Sequence, residues 1–251
     1  MKLTIQKIGG KVIDNPDELK AVLKAFAKIK GPKILVHGGG SKASILSKEL
    51  NIPVKMIEGR RVTTQATLDV VTMVYAGLLN KKIVSQLQAF DCNALGLTGA
   101  DLNTIKAKKR TVSTHDYGFA GDIEKVNTKP IRKLLKQGIT PVFCAITHDK
   151  KGQLLNTNAD TITASLGIGL SKYYKVSLVY HFDRKGVLMD ASDDDSVIKT
   201  IKPKRYEKLK NKGIIQDGMI PKIDNAFHAL QHNVSRVIIR GTNSKGTIIC
   251  L

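Results

Sequence analysis

Apolar and polar positions follow two rhythms along this chain. Short apolar runs predict strands at Leu3 to Ile8, Lys33 to Val36, Ala94 to Leu97, Gly121 to Val126, Thr140 to Cys144, Val176 to His181, Arg236 to Arg240 and Thr247 to Cys250. Between them apolar residues recur at helical spacing. Leu19, Val22, Leu23, Phe26 and Ile29 predict a helix over Asp17 to Ile29. Further helices are predicted from Gly40 through Leu50, from Thr64 to Phe90, from Asn158 to Leu170 and from Met219 to Gln231. This β-α-β-α order predicts an α/β fold, a mainly parallel sheet covered by helices on both faces, hence three α/β/α layers. In such sheets sites gather at the carboxyl ends of the strands, where the polar, glycine-rich turns of this chain fall. A lobe boundary is placed near Ser171-Lys172-Tyr173, dividing residues 1–172 from residues 173–251. No internal repeat or low-complexity segment is evident.

The chain of 251 residues is long enough for a sizeable core. Its 42% hydrophobic and 25% charged residues are ordinary for a globular protein. No apolar run approaches the roughly 20 residues of a membrane span, and no secretory signal opens the sequence, so a cytoplasmic location is expected. Cys92, Cys144 and Cys250 lie far apart without metal-ligand spacing, and read as free thiols in a reducing compartment. The formal net charge of +20 raises nucleic-acid binding as a question. The cations are dispersed, however, aromatics make up only 5% and Trp is absent, so a base-stacking platform is poorly supported. A basic surface that attracts anionic nucleotides fits better, and no nucleic-acid or membrane partner is expected.

Five segments carry candidate chemistry. Lys7-Ile8-Gly9-Gly10 places a lysine at a strand end before two glycines, whose backbone N–H groups can approach a phosphate closely. A bare Gly-Gly pair also serves as a tight turn, and neither the Walker A nor the G-x-G-x-x-G spacing is present. His37-Gly38-Gly39-Gly40 follows the next strand, where free N–H groups at a helix start form an anion site. His37 reads as structural, hydrogen-bonded under that loop. In Gly59-Arg60-Arg61-Val62-Thr63, an arginine fork suits a carboxylate; Arg60 reads as a surface ion pair. Asn156, Asn158 and Asp160 crowd a helix start where one side chain suffices for capping. Asp217 reads as the cap of the helix that carries Lys222, an early cation opposed by the helix dipole and so suited to an anionic partner, although a solvated lysine is an equal reading there.

Taken in order, Lys7-x-Gly9-Gly10, His37-Gly38-Gly39-Gly40, Gly59-x-Arg61-Val62-Thr63, Asn156-x-Asn158-Ala159-Asp160 and Asp217-Gly218-Met219-x-x-Lys222 resemble the signatures of acetylglutamate kinases within the amino-acid kinase family. Gly77-x-x-Asn80-Lys81 and Gly118-Phe119-x-Gly121-Asp122 fit as well. The resemblance runs from residue 3 to about residue 226. It implies an ATP- and Mg²⁺-dependent phosphorylation of the γ-carboxylate of N-acetyl-L-glutamate, a step of arginine biosynthesis, on an α/β/α sandwich. The N-terminal lobe would hold the acylglutamate and support dimerisation; the C-terminal lobe would hold ATP. Lys7 and Lys222 would stabilise the transferring phosphoryl group, with Asp160 holding both lysines. Gly9, Gly10 and Gly39 would bind phosphate; Gly39, Gly40, Arg61 and Asn156 the acylglutamate; Asp183, Gly186, Ile214, Ile215 and Gln216 the nucleotide. No protein ligand to a metal is assigned. The resemblance also implies the homodimeric, arginine-insensitive type.

Two segments depart from the family pattern. Phe182-Asp183-Arg184-Lys185-Gly186 replaces a Ser/Thr-Asp-Val-x-Gly run, losing a hydroxyl and adding two cations that would strengthen phosphate attraction. Ala145-Ile146-Thr147-His148 replaces Pro-Ile-Gly beside the expected acyl site, which leaves N-succinyl-L-glutamate or another small carboxylate as an alternative acceptor. From a different class, a non-catalytic nucleotide- or amino-acid-binding regulator is the competing reading. The presence of Lys7 and Lys222 together with Asp160 favours the enzyme.

Overall fold

The computed structural model describes every residue except Glu58, Ser113, Asp217 and Gly218. The expected helix cap at Asp217, and the motif positions Glu58 and Gly218, therefore lie outside the described residues. An eight-stranded sheet runs in the spatial order Thr200–Ile201, Thr247–Ile249, Arg236–Arg240, Lys175–His181, Lys2–Ile8, Lys33–His37, Thr140–Cys144 and Ala94–Leu97. All neighbours are parallel except Arg236–Arg240 and Thr247–Ile249, which the short connection 241–246 joins as an antiparallel pair. Every residue of Lys33–His37 and of Thr140–Cys144 is buried, as expected for strands covered on both faces.

The first strand, Lys2–Ile8, lies inside the sheet. It pairs with Lys175–His181 on one side and with Lys33–His37 on the other. Strands up to residue 144 therefore build outward in one direction, and strands from residue 175 onward in the other. The carboxyl ends of Lys2–Ile8 and Lys175–His181 thus form a topological switch point, the crevice where open α/β sheets bind ligands. The junction at 171–173 marks this change of direction; hydrogen bonding continues across it, in register from Lys2↔Lys175 to Ile8↔His181.

The helices form where the pattern predicts, and their starts have local causes. Asn15 caps Pro16–Ala27, its side chain accepting from the Glu18 amide, and Leu19, Val22, Leu23 and Phe26 are buried. Asn158 caps Ala159–Ser171 by accepting from the amides of Asp160 and Thr161. The long helix expected from Thr64 to Phe90 is three segments: Gln65–Thr72, a π-helical stretch Met73–Leu79, and Asn80–Gln88. Such widened turns occur often at functional sites. Here the wide turn sets Tyr75 and Leu79 against Gly39.

The strand Gly121–Val126 belongs to a second sheet, in the order Leu154–Asn156, Ile146–His148, Ile105–Lys109 and Gly121–Val126. A two-stranded ribbon, Met56–Ile57 with Arg60–Arg61, stands apart from both. The sequence pattern predicts neither the ribbon nor the short strands, because pieces of two to five residues with few apolar positions carry almost no periodic signal. The helices Thr128–Lys136 and Pro203–Asn211 are likewise additions, their few buried residues hidden among lysines. Among the described residues no helix is long and apolar enough to cross a membrane. Cys92 and Cys144 are buried free thiols, and Cys250 is half-buried and free.

Candidate active site

Three ionic side chains meet at the switch point. Lys7 is at the carboxyl end of the first strand, Asp160 in the first turn of Ala159–Ser171, and Lys222 in the first turn of Met219–Gln231. Lys7 Nζ lies 2.9 Å from Asp160 Oδ1, and Lys222 Nζ donates to Asp160 Oδ2 at 2.9 Å. The three side chains are only 12%, 9% and 10% exposed. The structure thus brings together the two lysines and the carboxylate that the sequence singled out from distant segments.

Burial dominates the electrostatics of this cluster. It pushes the Lys7 ammonium pKa down, against the attraction of Asp160 and with the repulsion of Lys222. Burial alone would raise the Asp160 carboxyl, yet the charges of Lys222 and Lys7 hold it well below the usual carboxylate range. One carboxylate therefore serves two cations, which leaves a local excess of positive charge. Tyr180 closes the cluster from below: its hydroxyl donates to the Asp160 carbonyl oxygen at 3.4 Å, and the Lys222 ammonium lies 5.7 Å from its ring centroid. Burial, with the Asp160 charge, pushes the Tyr180 phenol well above its ordinary pKa, so it stays neutral.

The two glycine turns face this excess charge. Gly9 and Gly39 are the N-caps of Gly10–Asp14 and Gly40–Glu49, and neither has a side chain to satisfy the first amides. Gly39 has φ +153°, and a Cβ there would sit 2.3 Å from Leu79 Cδ1 and 3.0 Å from Tyr75, so only glycine fits. A Cβ on Gly10 would meet Ser41 Oγ at 3.5 Å, which shows how closely the turns approach. His37 lies under the loop as expected. Its Nδ1 donates to the Gly38 carbonyl at 2.8 Å and its Nε2 accepts from Asn80 Nδ2 at 3.0 Å. Asn80 also donates to the Val142 carbonyl at 2.9 Å, tying the loop to the sheet. Burial lowers the His37 pKa to about 4, so the ring is neutral near pH 7.

Lys7, Asp160, Gly10 and Gly38-Gly39-Gly40 line a cavity of about 240 Å³ together with Arg61, Tyr75, Ala145 and Asn156. The Arg61 side chain is anchored at one nitrogen, Nη2, which donates to the Gly40 carbonyl at 3.0 Å and to Ser44 Oγ at 2.7 Å. Its Nη1 is buried and, among the described residues, has no hydrogen-bond partner, although Tyr75 lies beside the guanidinium. A buried guanidinium with an unspent donor, facing a cavity, is primed for an anion. Asn156 Nδ2 donates to Thr63 Oγ1 at 3.0 Å, and Thr63 in turn donates to the Arg61 carbonyl, so this wall is one network. Arg60 also lines the cavity and is exposed; no ion pair to it is found among the described residues. Arg110, unremarked in the sequence, lines the cavity too, with its guanidinium on Asp122.

On the other side of the switch point lies a second cavity, of about 510 Å³, bounded by Phe182, Arg184, Gly186 and Met189 on one side and by Ile214, Gln216 and Met219 on the other. Of the residues expected at the nucleotide, Gly186, Ile214 and Gln216 line it, whereas Ile215 is buried beneath it and Asp183 is held at its edge by Lys11 at 2.8 Å. Of the two added cations Arg184 lines this cavity, and each has an acidic partner: Arg184 pairs with Asp194 at 2.8 Å and Lys185 with Asp195 at 2.5 Å.

Comparison with known proteins agrees with this layout. The model of the amino acid kinase family matches residues 2–241. The chain belongs to the amino acid kinase family. Within the family it is similar to the acetylglutamate kinase of Cytophaga hutchinsonii, 54% identical over 95% of this chain and 90% of that one. It is also similar to the acetylglutamate kinase of Phocaeicola vulgatus, 52% identical over 95% of this chain and 93% of that one. Among solved structures it resembles smu.665 from Streptococcus mutans UA159, with a TM-score of 0.83 at 26% identity over 98% of each chain. Membership of this kinase family implies the use of ATP.

Proposed function

We infer that this chain phosphorylates the γ-carboxylate of N-acetyl-L-glutamate with ATP, forming an acyl phosphate in arginine biosynthesis. The observation that carries this reading is the Lys7–Asp160–Lys222 cluster at the switch point, with Lys7 and Asp160 lining the cavity that Arg61 walls. Its close likeness to acetylglutamate kinases supports the same acceptor.

In this proposal Arg61 takes the α-carboxylate through Nη1, and Asn156 positions the acylated amide beside it. The γ-carboxylate is then directed toward Lys7. A carboxylate is already a competent nucleophile, so no general base is needed, and the transfer depends on alignment and charge stabilisation. Lys7 and Lys222 flank the phosphoryl group as negative charge shifts onto its oxygens. The amides at Gly10 and Gly39 add donors that are fixed before the reaction begins. Asp160 stays ionised and keeps both ammonium groups in place, acting as a positioning residue.

Mg²⁺ is proposed as the cofactor, and with the nucleotide bound it would offset phosphate charge. Both oxygens of Asp160 are already taken by lysines, which fits a metal held by phosphates and water more than by this carboxylate. Residues 1–172 are assigned to the acylglutamate and residues 173–251 to ATP. A homodimer through Gln65–Gln88 is proposed, since Met73 and Leu78 expose 53% and 48% of their surface there, and a cytoplasmic location with it. Light scattering on the eluting peak tests the dimer; a monomer or hexamer overturns it.

A second reading concerns the acceptor. Arg60 and Arg110 line the same cavity as Arg61 and would suit a third carboxylate, as in N-succinyl-L-glutamate. ADP release measured with N-acetylglutamate, N-succinylglutamate, glutamate and aspartate decides between them. Turnover highest with N-acetylglutamate supports the first reading, a preference for the succinyl compound the second, and activity only on unacylated amino acids refutes both.

A further inference from the structure

The Lys7–Asp160–Lys222 cluster handles the reacting end of the nucleotide. It leaves open how the rest of the triphosphate crosses from the cavity at Phe182–Gly186 to the cavity at Gly10 and Gly39. The route is narrow. The Gly9 amide donates to the His181 carbonyl at 2.9 Å, so the two strand ends are pinned together at the switch point. A Cβ on Gly9 would lie 3.6 Å from Phe182 Cα. Gly10 borders one cavity and Phe182 the other, and the residues that follow them in the chain are Lys11 and Asp183.

These two side chains form an ion pair at 2.8 Å between segments 172 residues apart. Lys11 is 77% exposed and Asp183 30% exposed. A pair this open is weak and screened by solvent, so the ammonium exchanges readily to a better anion. The triphosphate of ATP is such an anion, multiply charged and drawn to the same spot by the excess charge of Lys7 and Lys222. The other cations of this edge, Arg184 and Lys185, form similarly exposed ion pairs with Asp194 and Asp195, but within one loop and not across the switch point.

We propose that Lys11 is a nucleotide-binding residue that leaves Asp183 to contact a non-transferred phosphate of ATP, giving this chain a third lysine along the triphosphate. The proposal rests on the kinase reading above. While Lys11 sits on Asp183 it masks a carboxylate that would otherwise repel the incoming nucleotide; when phosphate arrives, the same ammonium moves to it.

The test is calorimetric titration of the full chain with ATP, ADP and adenosine, in the absence of acylglutamate, for wild type, Lys11→Met and Lys11→Arg. Loss of one charge-assisted phosphate contact is expected to weaken ATP by about tenfold in Lys11→Met. Adenosine affinity stays unchanged, ADP follows ATP if the contact is to its phosphates, and Lys11→Arg restores most of the loss. Equal ATP affinity in wild type and Lys11→Met overturns the proposal, as does an equal loss for ATP and adenosine, which would make the pair merely structural. A wild-type chain that binds none of the nucleotides overturns the kinase reading along with it; one that binds ATP but ignores residue 11 overturns the Lys11 proposal alone.

Discussion

Replacing Asp160 by Asn tests the central electrostatic claim directly. The substitution keeps the shape and removes the one negative charge between two buried ammonium groups. An amide oxygen still accepts a hydrogen bond, so the loss is mainly of charge compensation. Removing one partner from a buried ionic cluster costs about 3–5 kcal/mol, and the retained hydrogen bond places this case near 3 kcal/mol. For a chain of this size that corresponds to a fall of roughly 6–12 °C in melting temperature. The deficit also has a sign with pH. Lys7 already titrates below an ordinary lysine, so between its folded pKa and 10.5 the unfolded chain binds more protons than the folded one, and stability rises with pH. Without Asp160 the Lys7 pKa falls further, and that window widens downward. The gap between Asp160→Asn and wild type is therefore expected to shrink as pH rises from 7 toward 10. Saturating ATP should narrow it as well, because its phosphates supply the missing anion. Urea denaturation at several pH values, with and without ATP, measures all three effects. A deficit below about 1 kcal/mol, or one that neither pH nor ATP alters, would refute the counter-ion role.

Three further outcomes follow from the same geometry. Lys7→Ala and Lys222→Ala are each expected to lower kcat by about 10²–10³, the usual loss when a positioned transition-state charge is removed; near-normal turnover in both ends the assignment. Arg61→Ala should raise the KM for the acylglutamate by about tenfold or more while the KM for ATP holds; an unchanged acylglutamate KM in steady-state assays removes Arg61 from the substrate site. His37, lowered to about 4 by burial, refuses a proton that the unfolded chain accepts below about 6.5, so folding stability falls as pH drops through that window, by about 3 kcal/mol in all. His181, lowered to about 4 by burial and by Arg240, acts in the same direction. His37→Gln is therefore expected to flatten part of the acid limb in denaturation curves, and an identical limb would show that His37 does not titrate with unfolding.

The sequence made the central sheet legible because its strands are buried on both faces and read as unbroken apolar runs. The run Val176 to His181 is one such strand, and it pairs in register with the first. The glycine turns were legible for a local reason: Gly38-Gly39-Gly40 after a strand has few uses besides close backbone approach. The ionic cluster was reachable only through the resemblance. Asp160 looks like any acidic residue in a first helical turn, and nothing in its own segment says that Lys7 and Lys222 will meet it. Arg110 stayed invisible because the strand before it, Ile105–Lys109, and the ribbon at 56–61 are too short and too polar to show a period, yet Arg110 and the ribbon line the first cavity. The local neutralisation of Arg184 and Lys185 was hidden too, since it depends on how the loop returns Asp194 and Asp195 beside them.

The position of the first strand explains why so few residues suffice for the chemistry. Because the sheet grows from Lys2–Ile8 in both directions, the carboxyl end of that strand borders both halves of the chain, and Lys7 is common to both. Asp160 then joins the halves, with one oxygen taking a lysine from the first strand and the other a lysine from the late helix Met219–Gln231. The ion cluster is thus both a fastening and an unfinished charge balance, two cations against one anion. In the proposed reaction a phosphoryl group passing to the carboxylate meets that surplus charge at the switch point. Folding energy holds the lysines there beforehand, so the transfer step needs little rearrangement of the groups that stabilise it.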